Sequence, residues 1–210
     1  MRFRESRGAY QMFTSHGGTM PHRSPEFVPG NFYHVYNRGN NKDRIFFSER
    51  NYSFFLTRLS RSLRNVANVH AFCLMTNHYH LLLSLVGEGF SMRMKNFGIS
   101  FAKAINNEQG RVGHLFQGRF RAKLVRDDAN LMNLSRYIHL NPLMAGMCSG
   151  LLDWPYSSYP NYLGLPGRPE IKVHTEHTLS LLQDSVAYRQ FVEVFAIERL
   201  KEMELRMWEE

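Results

Sequence analysis

Hydrophobic and polar positions change their period several times along the chain, and each change marks an element. Phe32-Tyr33-His34-Val35-Tyr36 is a β-rich run that stops at the turn-like Asn37-Arg38-Gly39-Asn40-Asn41. Ser48 is placed to cap a helix over about Glu49–Arg64, where Tyr52, Phe55, Leu56, Leu59 and Leu63 recur at helical spacing. Val66–Met75 and Tyr79–Val86 read as two strands joined by a tight turn at Thr76-Asn77. Ser91 opens a second helix with Met94, Phe97, Phe101, Ala104 and Ile105 as its stripe, closing in the polar run Asn106–Gly110. Leu115–Val125 reads as a strand or a curled hairpin interrupted at Gly118. Asp127-Asp128 is an acidic start for a third helix, predicted to run through about His139 and to end before Pro142. The order β-α-β-β-α-β-α predicts an α+β, ferredoxin-like (split βαβ) antiparallel sheet with helices on it, plus an added helix.

The ends have a different texture. Residues 1–29 carry Gly17-Gly18, Pro21, Pro25 and Pro29 with few aliphatics, and read as a flexible basic tail, with the fold beginning near Asn31. After Gly146 comes the aromatic, turn-rich Trp154-Pro155-Tyr156-Ser157-Ser158-Tyr159-Pro160. Residues 164–178 read as a linker. Asp184–Met207 has helical spacing, with Phe191, Phe195, Leu200, Met203 and Met207 on roughly one side. This divides the chain into a tail (1–29), a central domain (30–164), and a linker with an amphipathic helix (165–210).

Composition narrows the class. The 210 residues, 43% hydrophobic and 13% aromatic, can bury a real core, which excludes disorder as the whole answer. Cys73 and Cys148 are the two cysteines, too few for a disulfide scaffold and with no CxxC pair for a zinc ribbon; they suit a reducing compartment. The longest apolar run, around Leu81–Val86, is far too short to span a membrane, and the first residues show no secretion signal, so a cytoplasmic location is expected. Charge is uneven. Residues 1–126 hold 19 Lys and Arg against 6 Asp and Glu, a net +13, whereas residues 127–210 carry a net −5. A basic first part with an acidic end fits a polyanion partner, against the plainer reading of a solvated basic surface. No Gly-rich phosphate loop of the P-loop or Rossmann type is present, so no nucleotide cofactor is expected.

Two constellations carry candidate chemistry. In a strand, alternate side chains share a face, so His78 and His80 point the same way while Tyr79, Leu81 and Leu83 point into the other layer. Paired imidazoles on a sheet make a bidentate site for a divalent ion; the alternative is two unrelated surface histidines. A zinc hydrolase of the HxHxDH type is excluded, because Leu82 and Leu83 hold the places of the Asp and the third His. Near the end of the third helix, Tyr137 and Asn141 stand at i and i+4 on one face, so phenol and carboxamide can address one centre. The alternative is Tyr137 in the core and Asn141 as a helix cap. For nucleic-acid contact the candidates are Arg38, Lys42 and Arg44 in the first loop, and Arg119, Arg121, Lys123 and Arg126 interleaved with Phe116 and Phe120, whose rings either stack unpaired bases or fill the core.

These blocks together resemble a known family. Phe32–Gly39, Leu74-Met75-Thr76-Asn77-His78-Tyr79-His80-Leu81-Leu82, Leu115-Phe116-Gln117-Gly118-Arg119-Phe120, Arg136-Tyr137-Ile138-His139-Leu140-Asn141-Pro142 and Trp154–Tyr159 stand in the order and with the gaps of the single-tyrosine HUH transposases, most closely the REP-associated tyrosine transposases. The resemblance covers about residues 31–164. It implies that His78 and His80 hold a divalent metal, Mg²⁺ or Mn²⁺, that Asn141 completes the site, and that Tyr137 is the nucleophile. It further implies a single-stranded DNA substrate with small hairpins, cleaved and rejoined through a 5′-phosphotyrosine, by a monomer or a homodimer. Such a protein would sit on the bacterial nucleoid when bound to DNA. Two alternatives belong to other classes. An RNA-recognition module needs an aromatic signature on its third strand, where this chain has paired histidines. A domesticated, non-catalytic hairpin-binding protein of the same fold should have lost Tyr137 or a histidine, and the chain keeps them all.

Overall fold

The computed structural model describes residues 25–207, with side chains to residue 199. The predicted order is present: β1 (Phe32–Arg38), α1 (Glu49–Leu63), β2 (Ala67–Leu74), β3 (His78–Leu85), α2 (Phe90–Glu108), β4 (Arg121–Val125) and α3 (Asp128–Met144). The strands form one antiparallel sheet in the order β2-β3-β1-β4, the ferredoxin-like arrangement with the first and third strands central. Three further helices follow: α4 (Tyr159–Tyr162), α5 (Glu176–Ser180) and α6 (Ser185–Met207).

Register sorts the side chains into two layers. Tyr36 pairs with His80 and with Arg121, and His34 pairs with Leu82 and with Lys123. Residues opposed in a ladder share a face, so His34, Tyr36, Arg38, His78, His80, Arg121 and Lys123 lie on one side. On the other side Tyr33, Val35, Tyr79, Leu81 and Leu83 pack against Phe55, Leu59, Phe97 and Phe101 of α1 and α2. The histidine face carries a second core: Ala71, Cys73 and Leu82 meet Leu131, Leu134 and Ile138 of α3, with Tyr159, Tyr162, Tyr188 and Val192 behind them. α3 covers β2 and β3. On the β1–β4 half of the same face Tyr36 is half-buried, and Arg38, Arg121 and Lys123 are exposed.

Local chemistry explains the element ends. The Asn51 side-chain oxygen accepts from the backbone N–H groups of Phe47 and Ser48 at the start of α1. The Asp127 carboxylate accepts from the Asn130 N–H and caps α3. β1 runs two residues further than the expected Tyr36, because Asn37 and Arg38 still pair with Tyr79 and His78. The chain then turns through Asn40–Lys42, with Asn41 and Lys42 at φ of 51° and 62°. A Cβ on Gly39 would collide with the Asp43 carbonyl oxygen, so the turn requires glycine. The expected strand over Leu115–Val125 is realised only at Arg121–Val125; the part before it forms one isolated backbone bridge, Gly39 to Phe116.

α3 continues to Met144 with Pro142 inside it, rather than stopping before the proline. Proline removes one N–H donor, yet Ile138, His139, Leu140 and Pro142 are all buried, and that packing holds the turn helical. The Trp154–Tyr159 motif laces the β2 edge: Trp154 Nε1 donates to the Leu74 carbonyl, the Leu74 N–H to the Tyr156 carbonyl, and the Ser158 N–H to the Phe72 carbonyl. At the other end the Tyr33 hydroxyl donates to the Glu26 carbonyl and accepts from the Val28 N–H, and Phe27 meets Phe90 edge-on, so the fold engages the chain from Glu26 on. The remainder of the expected tail, residues 1–24, lies outside the described residues. Among the described residues no helix is long and apolar enough to cross a membrane.

The buried His70 ring on β2 bonds the Ser84 hydroxyl and the His174 carbonyl, and burial pushes its pKa down to about 4. The unfolded chain therefore binds a proton near pH 6.5 that the folded chain refuses until about pH 4, and stability falls across that window as pH drops. His70→Gln should lose about 2 kcal/mol less than the wild type between pH 7 and pH 5, read from urea unfolding at both pH values. Equal losses would show that His70 does not carry this dependence.

Candidate active site

The strands and α3 bring the four residues singled out in the sequence together. His78 opens β3 and His80 follows two positions later, their ring centroids 5.1 Å apart. Tyr137 stands edge-on to His80 at 5.4 Å. One turn later the Asn141 amide nitrogen donates to the Tyr137 carbonyl at 2.7 Å. The same side chain also reaches the His78 ring, an interaction that acts to raise the His78 pKa. Asn141 thus links the third-strand histidine to the tyrosine helix. It is not a terminal cap, because α3 runs on beyond it.

Both histidines are held from behind. His78 Nδ1 lies 2.6 Å from Asn77 Oδ1, an acceptor, which puts the ring proton on Nδ1 and a lone pair on Nε2. His80 Nδ1 lies 2.9 Å from His34 Nε2 on the neighbouring strand. Burial, with the Arg38 guanidinium acting in the same direction, lowers the His78 pKa to about 4. Burial, the neighbouring His34 and His78, and Arg38 hold His80 well below its ordinary value. Neutral imidazoles whose other ring nitrogen is already engaged are the form in which histidine ligates a metal. Among the described residues no group of three or more His, Cys, Asp or Glu side chains is arranged to hold a metal. The Asn141 oxygen is the donor expected from the sequence beside these imidazoles, and a neutral donor set of that kind suits a hard or borderline divalent cation.

Around this cluster the field is positive. Lys123 acts on His34, whose pKa falls to about 3 chiefly through burial. Of the expected DNA contacts, Arg38, Arg121 and Lys123 share the histidine face, and all three are exposed. Arg38 is the last residue of β1 rather than a loop residue. Lys42 and Arg44 lie in the exposed connection after β1, where their carbonyls accept from Asn77 and Arg111. Arg126 is exposed just past β4. Arg119 stands away from the cluster and lines a cavity under α2. Phe116 is buried beside Tyr79 and Phe101, a core ring rather than an exposed stacking platform, and Phe120 is half-buried against Phe90.

Sequence reasoning missed three contributors. His34 is buried four residues before Arg38, and the signal available was its even-numbered position in β1, in phase with the histidines across the ladder. Tyr36 lies between them, its ring 4.8 Å from His34 and 6.0 Å from His80. The third contributor is α6, which grips α3 on both sides of Tyr137. Arg136 packs over the rings of Phe191 and Phe195 at 4.2 and 3.9 Å. His139 bonds the Tyr188 hydroxyl at 2.7 Å and the Ser158 hydroxyl at 2.8 Å, and Tyr188 donates to Ser135.

No family model matches the chain. A Haemophilus influenzae protein described as a REP-associated tyrosine transposase is 30% identical over 123 residues, covering 49% of this chain and 69% of that relative. Among solved structures, a REP-associated tyrosine transposase bound to a REP hairpin is similar in fold, with a TM-score of 0.57 and 18% identity over 74% of this chain and 93% of the other. The order of the sheet, the tyrosine helix laid across it and the relative's identity agree, and the chain belongs to the REP-associated tyrosine transposase family.

Proposed function

We propose that the protein is a metal-dependent transesterase that cleaves and rejoins hairpin-bearing single-stranded DNA through a 5′-phosphotyrosine at Tyr137. One observation carries the reading: the Tyr137 ring stands against His80 while Asn141, one turn on, reaches His78, on a face edged by Arg38, Arg121 and Lys123. The solved hairpin complex of the similarly folded transposase supports the choice of DNA.

In the proposed reaction Tyr137 Oη bonds to the phosphorus and the phosphorus–O3′ bond breaks. The phenol proton is lost to solvent and the departing oxygen takes one up as a free 3′-OH. Ester replaces ester, so the step is reversible and needs no ATP. Arg38, Arg121 and Lys123 hold flanking phosphates, and a positive field of fixed cations favours the extra charge of the transition state. A divalent cation such as Mg²⁺ or Mn²⁺, held by His78, His80 and Asn141, would supply further charge neutralisation at the scissile phosphate. His34 and Asn77 keep the two imidazoles turned outward. The alternative, a non-catalytic hairpin binder, leaves this juxtaposition of phenol and histidines without a use.

Tyr137→Phe removes one hydroxyl and little packing. It should abolish the SDS-resistant complex with a hairpin oligonucleotide and leave DNA affinity within about 2-fold; undiminished trapping by the variant would remove Tyr137 from its role.

Cleavage should stop in excess EDTA and in His78→Ala or His80→Ala. Asn141→Ala should weaken Mn²⁺ binding, measured calorimetrically, by about 10- to 100-fold, and Asn141→Asp should restore most of it. Full cleavage in EDTA would rule out the metal, and unchanged Mn²⁺ binding by Asn141→Ala would remove the amide from the donor set.

Replacing Arg121 and Lys123 together by Gln should lower the slope of log affinity against log salt by about 1.4, two single-strand phosphate contacts at about 0.7 each. A slope equal to that of the wild type would place the DNA elsewhere.

A further inference from the structure

The turn of α3 that carries the site is weak by itself. Pro142 has no N–H to offer the Ile138 carbonyl, so the helix lacks one bond in the turn between Tyr137 and Asn141. Toward the sheet α3 rests on Leu131, Leu134 and Ile138. Apolar packing fixes how deep a helix lies, but it is non-directional and resists a roll about the helix axis poorly. At the rim of a helix, about 5–6 Å from its axis, roughly 10° of roll displaces an atom by about 1 Å. A misplacement of about 1 Å can slow chemistry roughly 100-fold.

Directional contacts come from α6. At about 100° per residue, Tyr137 and Asn141 share one flank of α3, while Ser135, Arg136 and His139 lie on roughly the opposite one. That second flank is the one α6 engages. The Tyr188 hydroxyl bonds His139 Nδ1 and donates to Ser135 Oγ. Ser158, itself bonded to Phe72 of β2, holds His139 Nε2. The Arg136 guanidinium lies across the rings of Phe191 and Phe195. His139 and Tyr188 are wholly buried. A roll of α3 would break these bonds and leave polar groups unpaired out of water, so the network favours one orientation of the helix. His139 also lies inside the proline-weakened turn, where support is needed.

We propose that α6 sets the roll of α3 and so aims Tyr137 at the scissile phosphate, with Arg136, His139 and Tyr188 as positioning residues. The inference rests on Tyr137 being the nucleophile. It gives α6 a part in the rate of the chemistry and none in holding DNA.

The test uses the full chain and a hairpin oligonucleotide. The rate of forming the SDS-resistant complex is measured at saturating DNA, and affinity is read by fluorescence anisotropy. Both are measured well below each variant's melting temperature, where every molecule is folded. Tyr188→Phe removes the hydroxyl and keeps the ring. It should slow trapping by about 10- to 100-fold and leave DNA affinity within about 2-fold. Phe191→Leu with Phe195→Leu keeps an apolar surface but removes the ring faces beneath Arg136. This double variant should slow trapping by about 10-fold at unchanged affinity, and it decides if Tyr188→Phe does not fold. Tyr159→Phe is the control, because the Tyr159 hydroxyl ties α4 to Glu193 of α6 and takes no part in the bonds to α3. It should lower the melting temperature and trap DNA at the wild-type rate. Wild-type rates in both Tyr188→Phe and the double variant overturn the proposal. So does an affinity that falls in step with the rate, which would make α6 part of the DNA surface. Equal slowing in Tyr159→Phe also overturns it, because the rate would then follow stability rather than aim. Tyr137→Phe keeps the two readings apart: undiminished trapping there removes the nucleophile, whereas a dead Tyr137→Phe beside a fully active Tyr188→Phe removes only the role of α6.

Discussion

The ladder between β1 and β3 is the constraint on which the site depends. Its register sets Tyr36 opposite His80 and Arg38 opposite His78, and so places His34 beside His80 on the same face. Because side chains alternate with a period of two, a slip of one residue would turn His34 and Tyr36 into the α1–α2 core and bring Tyr33 and Val35 to the site. Tyr33, Val35, Leu81 and Leu83 are buried almost completely on that other side, so the cost of exposing them is what pins the histidines. The 2.9 Å bond between the two imidazoles follows from a hydrophobic core on the far side of the sheet.

The second half of the site comes on a helix that the sheet alone does not hold. α3 meets β2 and β3 through Leu131, Leu134 and Ile138, and its outer side is closed by α6. The contacts of α6 fall on Ser135, Arg136 and His139, which bracket Tyr137. His139 is wholly buried, its pKa pushed down to about 3, and both ring nitrogens are bonded, so the polar link between helices carries no net charge at neutral pH. The segment after residue 165 therefore does structural work on the very turn of helix that bears the phenol.

Most of the fold was legible in the chain. The helical stripes in α1 and α2 were legible because each repeats over several turns, and the β2–β3 hairpin because its apolar runs flank a two-residue turn. Legibility failed where tertiary contacts overrode local rules. Pro142 reads as a stop, but burial of its neighbours carries α3 past it. Phe116 reads equally as a platform for bases or as core, and its contacts with Tyr79 and Phe101 decide for the core. The segment before Arg121 has strand-like residues, but it forms one isolated backbone bridge at Phe116.

The sequence by itself determined the order of elements, the pairing of His78 with His80 on one face and of Tyr137 with Asn141 on another, because strand and helix periods act over two to four residues. It could not determine the register between β1 and β3, nor that a lone His34 far upstream would reach His80, because that register is decided by how the two cores close around the sheet. The meeting of the strand pair with the helix pair and the grip of α6 on either side of Tyr137 were decided only in three dimensions. The physical reason is one of range. Periodicity orients side chains within an element, whereas the site depends on packing between elements separated by tens of residues.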